Sequence, residues 1–178
     1  MRAFVPPIFC VLVLIPASIL AGEPLSQKRY SIKHDDPSTG THVARDRIVG
    51  SIPLDKRYSE LRREQQDAFK SQYAQMAEND EPPFPVDGLG PLYKGIAEVH
   101  KQFLRRGFGL GADGFLALHV QVDSQGKATS VSAYQSPDPE MTKYAATVAM
   151  LTKYKPAVCG GQPCAMIFPI RIELKSRH

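Results

Sequence analysis

The last third of the chain, from Asp113 to Leu174, constrains the fold most, because two strand patterns, a helix pattern and a final strand pattern follow one another there. Apolar residues alternate along Phe115–Val122, which is typical of a strand with one buried face. A short turn containing Gly126 leads to a second predicted strand, Ala128–Gln135, as in an antiparallel hairpin. This order predicts a small α+β domain that ends on a strand, and a terminal strand is often a sheet edge.

A helix is predicted from Pro139 to Lys153, because Asp138 can cap its first turn and Pro139 suits the first helical position. Its apolar face is expected to consist of Met141, Tyr144, Ala145, Val148 and Leu151.

The final strand is predicted over Met166–Leu174. One face consists of Met166, Phe168, Ile170, Ile172 and Leu174. Arg171 and Glu173 lie on the other face. Pro169 has no amide hydrogen to donate, so this strand is predicted to lie at an edge with the proline nitrogen facing outward.

Two further helices are predicted upstream. One runs from Pro91 to Arg106, where Gly107 is a C-cap residue and the apolar stripe consists of Leu92, Ile96, Val99 and Phe103. The other covers Tyr58–Asn79, and its thinner stripe consists of Tyr58, Leu61, Phe69, Tyr73 and Met76. A thin stripe predicts a helix on the domain surface or against a partner. The proline-rich run Glu81–Pro85 ends it, which separates a helical segment (57–80) from a C-terminal domain (86–178).

The N-terminus has the pattern of an export signal. Met1-Arg2 is basic, Ala3–Leu20 is largely apolar, and small residues near Ala21 offer a cleavage site, so residues 1–21 are predicted to be a signal peptide. An uncleaved membrane anchor is the alternative, because the apolar run approaches the length of a spanning helix. Residues 22–56 are polar and lack apolar periodicity, which predicts a flexible lead-in.

Cleavage would remove Cys10 and leave Cys159 and Cys164. An even pair in an exported chain is typical of a disulfide, although two buried free thiols remain the alternative. The bond would close a very short loop containing Gly160 and Gly161, so its entropic contribution is only roughly 2 kcal/mol.

Several functional classes lack a signal in this sequence. The formal charge of +4 is mild, and no basic run is interleaved with aromatic residues, so nucleic acid is not an expected partner. The sequence shows neither a G-x-S-x-G nor an H-E-x-x-H pattern, and a lone C-x4-C pair supplies too few ligands for a metal. We therefore predict no enzyme activity, no catalytic residue, no metal site and no cofactor.

The C-terminal motifs resemble the C-terminal domain of the TonB energy-transducer family. The resemblance is carried, in order, by the segments Val120–Lys127, Tyr134–Ser136, Tyr154–Ala157, Gly161–Pro163 and Phe168–Leu174. It implies two helices packed on a three-stranded antiparallel sheet in the periplasm, here preceded by an extra helix and the flexible lead-in. It also implies a function, in which an extended receptor peptide adds to the final strand as an additional strand.

The resemblance places the binding site on the final strand, with Arg171 and Glu173 as side-chain contacts. The predicted edge residues are Ile167, Phe168, Ile170, Arg171, Ile172, Glu173 and Leu174. The expected partner is a protein, such as the N-terminal box of an outer-membrane receptor, or a second copy of the chain. Thr142 and Thr152 stand where the family usually has Asp and Trp, and no long proline-rich spacer follows residue 21. A periplasmic binding module is therefore expected, and a tethered energy transducer in the inner membrane is the alternative.

Overall fold

The computed structural model describes residues 52–74, 76–107 and 113–175. The predicted signal peptide and most of the predicted lead-in lie outside these ranges. Within them, no helix combines the length and the apolar character needed to cross a bilayer.

The described residues form three α-helices and three small antiparallel sheets, which confirms the α+β prediction. A 3₁₀ turn at Tyr58–Glu60 precedes the helices α1 (Arg63–Lys70), α2 (Leu89–Arg105) and α3 (Pro139–Leu151). The strands are β1 (Phe84–Pro85), β2 (Gly114–Val122), β3 (Ala128–Gln135), β4 (Tyr154–Lys155), β5 (Ala157–Cys159), β6 (Gln162–Cys164) and β7 (Met166–Leu174). The main sheet has the order β3-β2-β7, while β1 pairs with β4 and β5 pairs with β6.

The main sheet buries one face, as the alternation of its sequence predicts. β2 pairs with β7 without a register shift from Gly114↔Leu174 to Val122↔Met166. The buried side chains of these two strands are Leu116, Leu118, Val120, Val122, Met166, Phe168, Ile170 and Leu174. Because this apolar area leaves water together, its burial is the main force that holds the two strands in register.

The start of α3 is as predicted, and its buried face is as predicted only in part. Asp138 Oδ1 accepts a hydrogen bond from the amide of Met141 at 2.8 Å. Tyr144 and Leu151, which were expected on the apolar face, are 54% and 79% exposed. Met141 and Ala145 are buried as predicted, and Thr142 and Ala149 are buried in addition. Small side chains let α3 pack closely on the sheet and on α2, and this contact overrides the placement of its largest apolar residues.

The helix α2 begins two residues earlier than predicted, and Gly107 follows it with a φ of +77°, as expected of a C-cap glycine. Sequence reasoning missed His100, which is buried on this helix. Its Nε2 lies 3.2 Å from Asp113 Oδ1, so the pair joins α2 to the start of β2.

The prediction of one surface helix over Tyr58–Asn79 is wrong. The segment forms the 3₁₀ turn and the eight-residue helix α1, and the chain turns after Lys70. Its larger apolar residues lie in the core, where Tyr58, Leu61, Phe69 and Tyr73 are 2–5% exposed. The stripe is thin because aromatic rings, each burying a large area, replace a longer row of aliphatic residues.

The core is continuous across the proline-rich run that was expected to separate two regions. Phe84 is fully buried, and β1 pairs with β4 through Phe84↔Lys155 and Pro85↔Tyr154. Ile52, at the end of the predicted lead-in, is also buried, and the Leu54 carbonyl accepts a hydrogen bond from the amide of Gly90 at 2.6 Å. The segment 52–80 therefore shares the core of the C-terminal region.

Cys159 and Cys164 are joined as predicted. β5 and β6 form a hairpin whose turn residues, Gly160 and Gly161, have φ values of +58° and +81°. The Cys159–Cys164 disulfide closes this hairpin.

The turn between β2 and β3 generates a stability prediction. Gly126 has a φ of +81°, and a Cβ there would lie 2.1 Å from the Tyr154 carbonyl oxygen. We expect Gly126→Ala to lower the free energy of unfolding by roughly 3 kcal/mol, because left-handed strain and a backbone clash act together. Chemical denaturation followed by circular dichroism measures the change.

Gly107→Ala is the matched control. Gly107 has a φ of +77°, but no described atom lies within 4 Å of a Cβ added there. It should therefore lose only about 1 kcal/mol from backbone strain. Equal losses in the two variants would contradict the clash at Gly126.

Candidate binding edge

The strand β7 lies at an outer position of the main sheet, where the predicted binding residues were expected. It pairs with β2 along its whole length. Among the described residues, β2 is the only strand that pairs with it. A strand with one neighbour directs alternate backbone groups away from the sheet, and those groups are what an added peptide would bind.

The register shows which backbone groups point outward. Residues facing each other in an antiparallel pair alternate between exchanging two hydrogen bonds and exchanging none. Pro169 has no N–H and lies opposite His119, so this pair cannot be one that exchanges two bonds. By alternation, the main-chain groups of the odd-numbered residues of β7 point away from β2. These residues are Ile167, Pro169, Arg171 and Glu173.

An independent contact supports this assignment. The Tyr73 hydroxyl donates a hydrogen bond to the Ile167 carbonyl oxygen at 2.8 Å, so this carbonyl is directed away from β2. Burial raises the pKa of Tyr73 well above its usual range, and Tyr58 nearby adds a smaller effect in the same direction. The phenol therefore keeps its proton at neutral pH and remains a donor.

The seven predicted residues consequently divide into two groups. Phe168, Ile170, Ile172 and Leu174 place their side chains on the helix-covered face and their main-chain groups toward β2. Ile167, Arg171 and Glu173 direct main-chain groups outward, and so does Pro169, which the sequence reasoning did not include as a binding residue. Only the second group can pair directly with an added strand.

Aromatic packing fixes the inner side of this edge. The Phe168 ring is fully buried, and its centroid lies 5.9 Å from that of Phe69, 6.3 Å from that of Phe84 and 5.3 Å from that of Tyr154. Such ring pairs stabilise a core beyond their buried area. Aromatic rings from both ends of the described chain thus hold the edge strand in place. Its position is set by packing within the protein.

On the exposed face of the sheet, β7 carries charged side chains. Arg171 and Glu173 are exposed, and Glu173 Oε1 lies 2.9 Å from Lys175 Nζ. An exposed pair of this kind contributes little to stability, so its charges can be redirected toward a ligand. Across the sheet from these two residues lie Ala117 and the half-exposed Phe115.

Tyr73 is the residue of this site that sequence reasoning missed as a binding-site component. The stripe of Tyr58–Asn79 marked it as apolar, but its polar contact joins residues 94 positions apart. No local pattern encodes that contact.

The described residues contain no cluster of three or more metal-ligating side chains. A shallow depression of about 280 Å³ beside Tyr73 has acidic and basic rim residues, Asp67, Glu78 and Lys70.

The alternation along β7 can be tested by proline substitution. Ile172→Pro removes an N–H that bonds β2, whereas Glu173→Pro removes one that points outward. Relative to Ile172→Ala, we expect Ile172→Pro to cost about 2–3 kcal/mol of unfolding free energy. Relative to Glu173→Ala, Glu173→Pro should cost less than about 1 kcal/mol. Urea denaturation of the four variants measures both differences, and a larger loss at residue 173 than at residue 172 would refute the assignment.

No family model matches the chain, and no curated protein matches it. The resemblance to the TonB family therefore rests on the motifs quoted above, from Val120 to Leu174.

Proposed function

We propose that this protein is a binding module that captures an extended peptide by strand addition to the outward edge of β7. The observation that carries the proposal is the outer position of β7 in the sheet, with its odd-numbered residues directing main-chain groups away from β2. Main-chain pairing supplies affinity in this mode of binding, and side chains at alternate positions supply specificity. The reaction involves no covalent step.

The expected affinity follows from the number of pairing groups. A net hydrogen bond contributes about 0.5–1.5 kcal/mol, and the edge offers about four or five of them. Ordering the peptide offsets part of this gain, so a dissociation constant between micromolar and millimolar is expected. Binding of this strength suits reversible capture.

The resemblance to the TonB family supports a more specific version of the proposal. In that version, α2 and α3 cover one face of the sheet β3-β2-β7 in the manner of a TonB C-terminal domain. The protein resides in the periplasm after removal of residues 1–21, and its guest is the N-terminal box of an outer-membrane receptor. The packing of α3 against α2, β3 and β2 agrees with this arrangement.

The alternative function is a tethered energy transducer for transport across the outer membrane, which requires that the N-terminal segment stays in the inner membrane. Intact-mass analysis of the exported protein separates the two functions. A mature chain that begins near Gly22 supports the periplasmic module, whereas a retained segment supports the transducer.

The proposal predicts a defined pattern of NMR shifts. Titration of the ¹⁵N-labelled protein with a peptide of about ten residues from a receptor box should shift the amides of 171–174 and leave those of β3 in place. The control peptide has the same sequence but carries N-methyl groups on alternate amides, which removes donors without changing side chains. We expect the control to bind at least about tenfold more weakly, because about two hydrogen bonds are lost.

Two outcomes would refute strand addition to β7. One is an unchanged spectrum along residues 167–174 at millimolar peptide. The other is equal binding of the methylated and unmethylated peptides. Light scattering in the absence of peptide tests the remaining alternative, in which a second copy of the chain occupies the edge, since that arrangement gives a dimer.

A further inference from the structure

We infer that Tyr73 is a register stop that confines an added strand to Pro169–Leu174. This inference rests on the proposed function, because it concerns how far along β7 a guest can pair. The hydroxyl of Tyr73 occupies the outward carbonyl of Ile167 at 2.8 Å, and the next outward residue, Pro169, has no donor. A bound peptide that extends toward the start of β7 therefore first reaches Pro169, which has no N–H to donate. It then reaches the Ile167 carbonyl, which already accepts the hydrogen bond from Tyr73.

A guest cannot displace Tyr73 easily, because the ring belongs to the core. Tyr73 is 2% exposed, and its ring centroid lies 6.3 Å from that of Phe69, which stacks on Phe168 at 5.9 Å. Moving the tyrosine would open a cavity beneath the edge strand. Opening a cavity of aromatic size costs several times more free energy than one extra hydrogen bond returns. The stop therefore remains in place when a peptide binds.

The chain that follows Tyr73 is fixed to the hairpin that precedes β7. Glu81 and Val158 exchange backbone hydrogen bonds of 2.9 Å and 2.8 Å. Asp80 Oδ1 accepts a further hydrogen bond from the amide of Gly160 at 2.7 Å, and Glu81 Oε2 lies 2.5 Å from Lys155 Nζ. Because β5 and β6 are joined by the disulfide, these contacts attach the stop to a rigid part of the molecule. The segment 52–80, for which the sequence left a surface position or a partner contact open, is thus assigned to the binding site.

The consequence is that only a short part of β7, Pro169–Leu174, can pair with a bound peptide; this part is the recognition frame. A guest pairs over about five or six residues, and any residues beyond the frame leave the edge at Tyr73. Affinity should rise as a peptide is lengthened to this limit and then stay constant. Pairing along the whole of β7 would instead give an affinity that keeps rising with each added pair of residues.

The test uses truncations of one receptor-box peptide, from about four to about ten residues, with binding measured by calorimetry. With the wild-type protein, we expect the dissociation constant to change by less than about twofold beyond six residues. With Tyr73→Ala, the longest peptide should bind about threefold to tenfold more tightly than the six-residue peptide, because the Ile167 carbonyl becomes available. Tyr58→Phe is the matched control, since it removes a buried phenol hydroxyl next to the same aromatic cluster but keeps the Tyr73 hydroxyl, and it should retain the wild-type length limit.

Hydrogen exchange decides the question if Tyr73→Ala does not fold. In the wild-type protein saturated with the longest peptide, the amide of Glu173 should exchange at least about tenfold more slowly than without peptide, and the rate at Ile167 should not change. Protection of Ile167, or an affinity that rises through all lengths, would overturn the stop while leaving strand addition intact. If no peptide of any length binds, the proposed function itself fails.

Discussion

The unshifted pairing of β2 with β7 is the constraint on which the other features depend. Nine residue pairs lie in register, from Gly114↔Leu174 to Val122↔Met166. Because side chains alternate along each strand, this register places the large apolar residues of both strands on the face that the helices cover. The same register places the main-chain groups of the odd-numbered residues of β7 on its outer side. The pairing of β2 with β7 therefore determines both which side chains enter the core and which main-chain groups of β7 face away from the sheet.

Phe168 connects this ladder to the first part of the described chain. Its ring contacts Phe69 of α1, Phe84 of β1 and Tyr154 of β4, so residues from distant parts of the sequence meet behind the edge strand. This packing explains why the segment around α1 lies against the sheet and is not a separate surface helix. It also brings Tyr73 to the start of β7, where its hydroxyl donates a hydrogen bond to the outward carbonyl of Ile167.

The sequence predicted the features that local rules determine. The period-two alternation located β2 and β7, Gly126 marked the turn, and Asp138 with Pro139 marked the start of α3. Met141 and Ala145 were predicted on the buried face of α3, but the exposure of Tyr144 and Leu151 was not, because close packing against α2 and the sheet favours the small Ala149 over these larger residues. The edge position of β7 was predicted from Pro169, but the limit that Tyr73 sets on it was not. That limit depends on a contact over 94 residues, and only the folded chain brings the two groups together.

Pro169 and Tyr73 have one more consequence, which concerns pairing between identical molecules. If two copies of β7 met about a two-fold axis, the shared ladder would contain the missing donor of Pro169 twice. It would also end against a tyrosine on both sides. A foreign peptide meets each of these features once, so it can form more hydrogen bonds for the same length of strand. Strand addition at this edge would therefore favour a foreign strand over a second copy, and separate molecules would keep their pairing groups accessible.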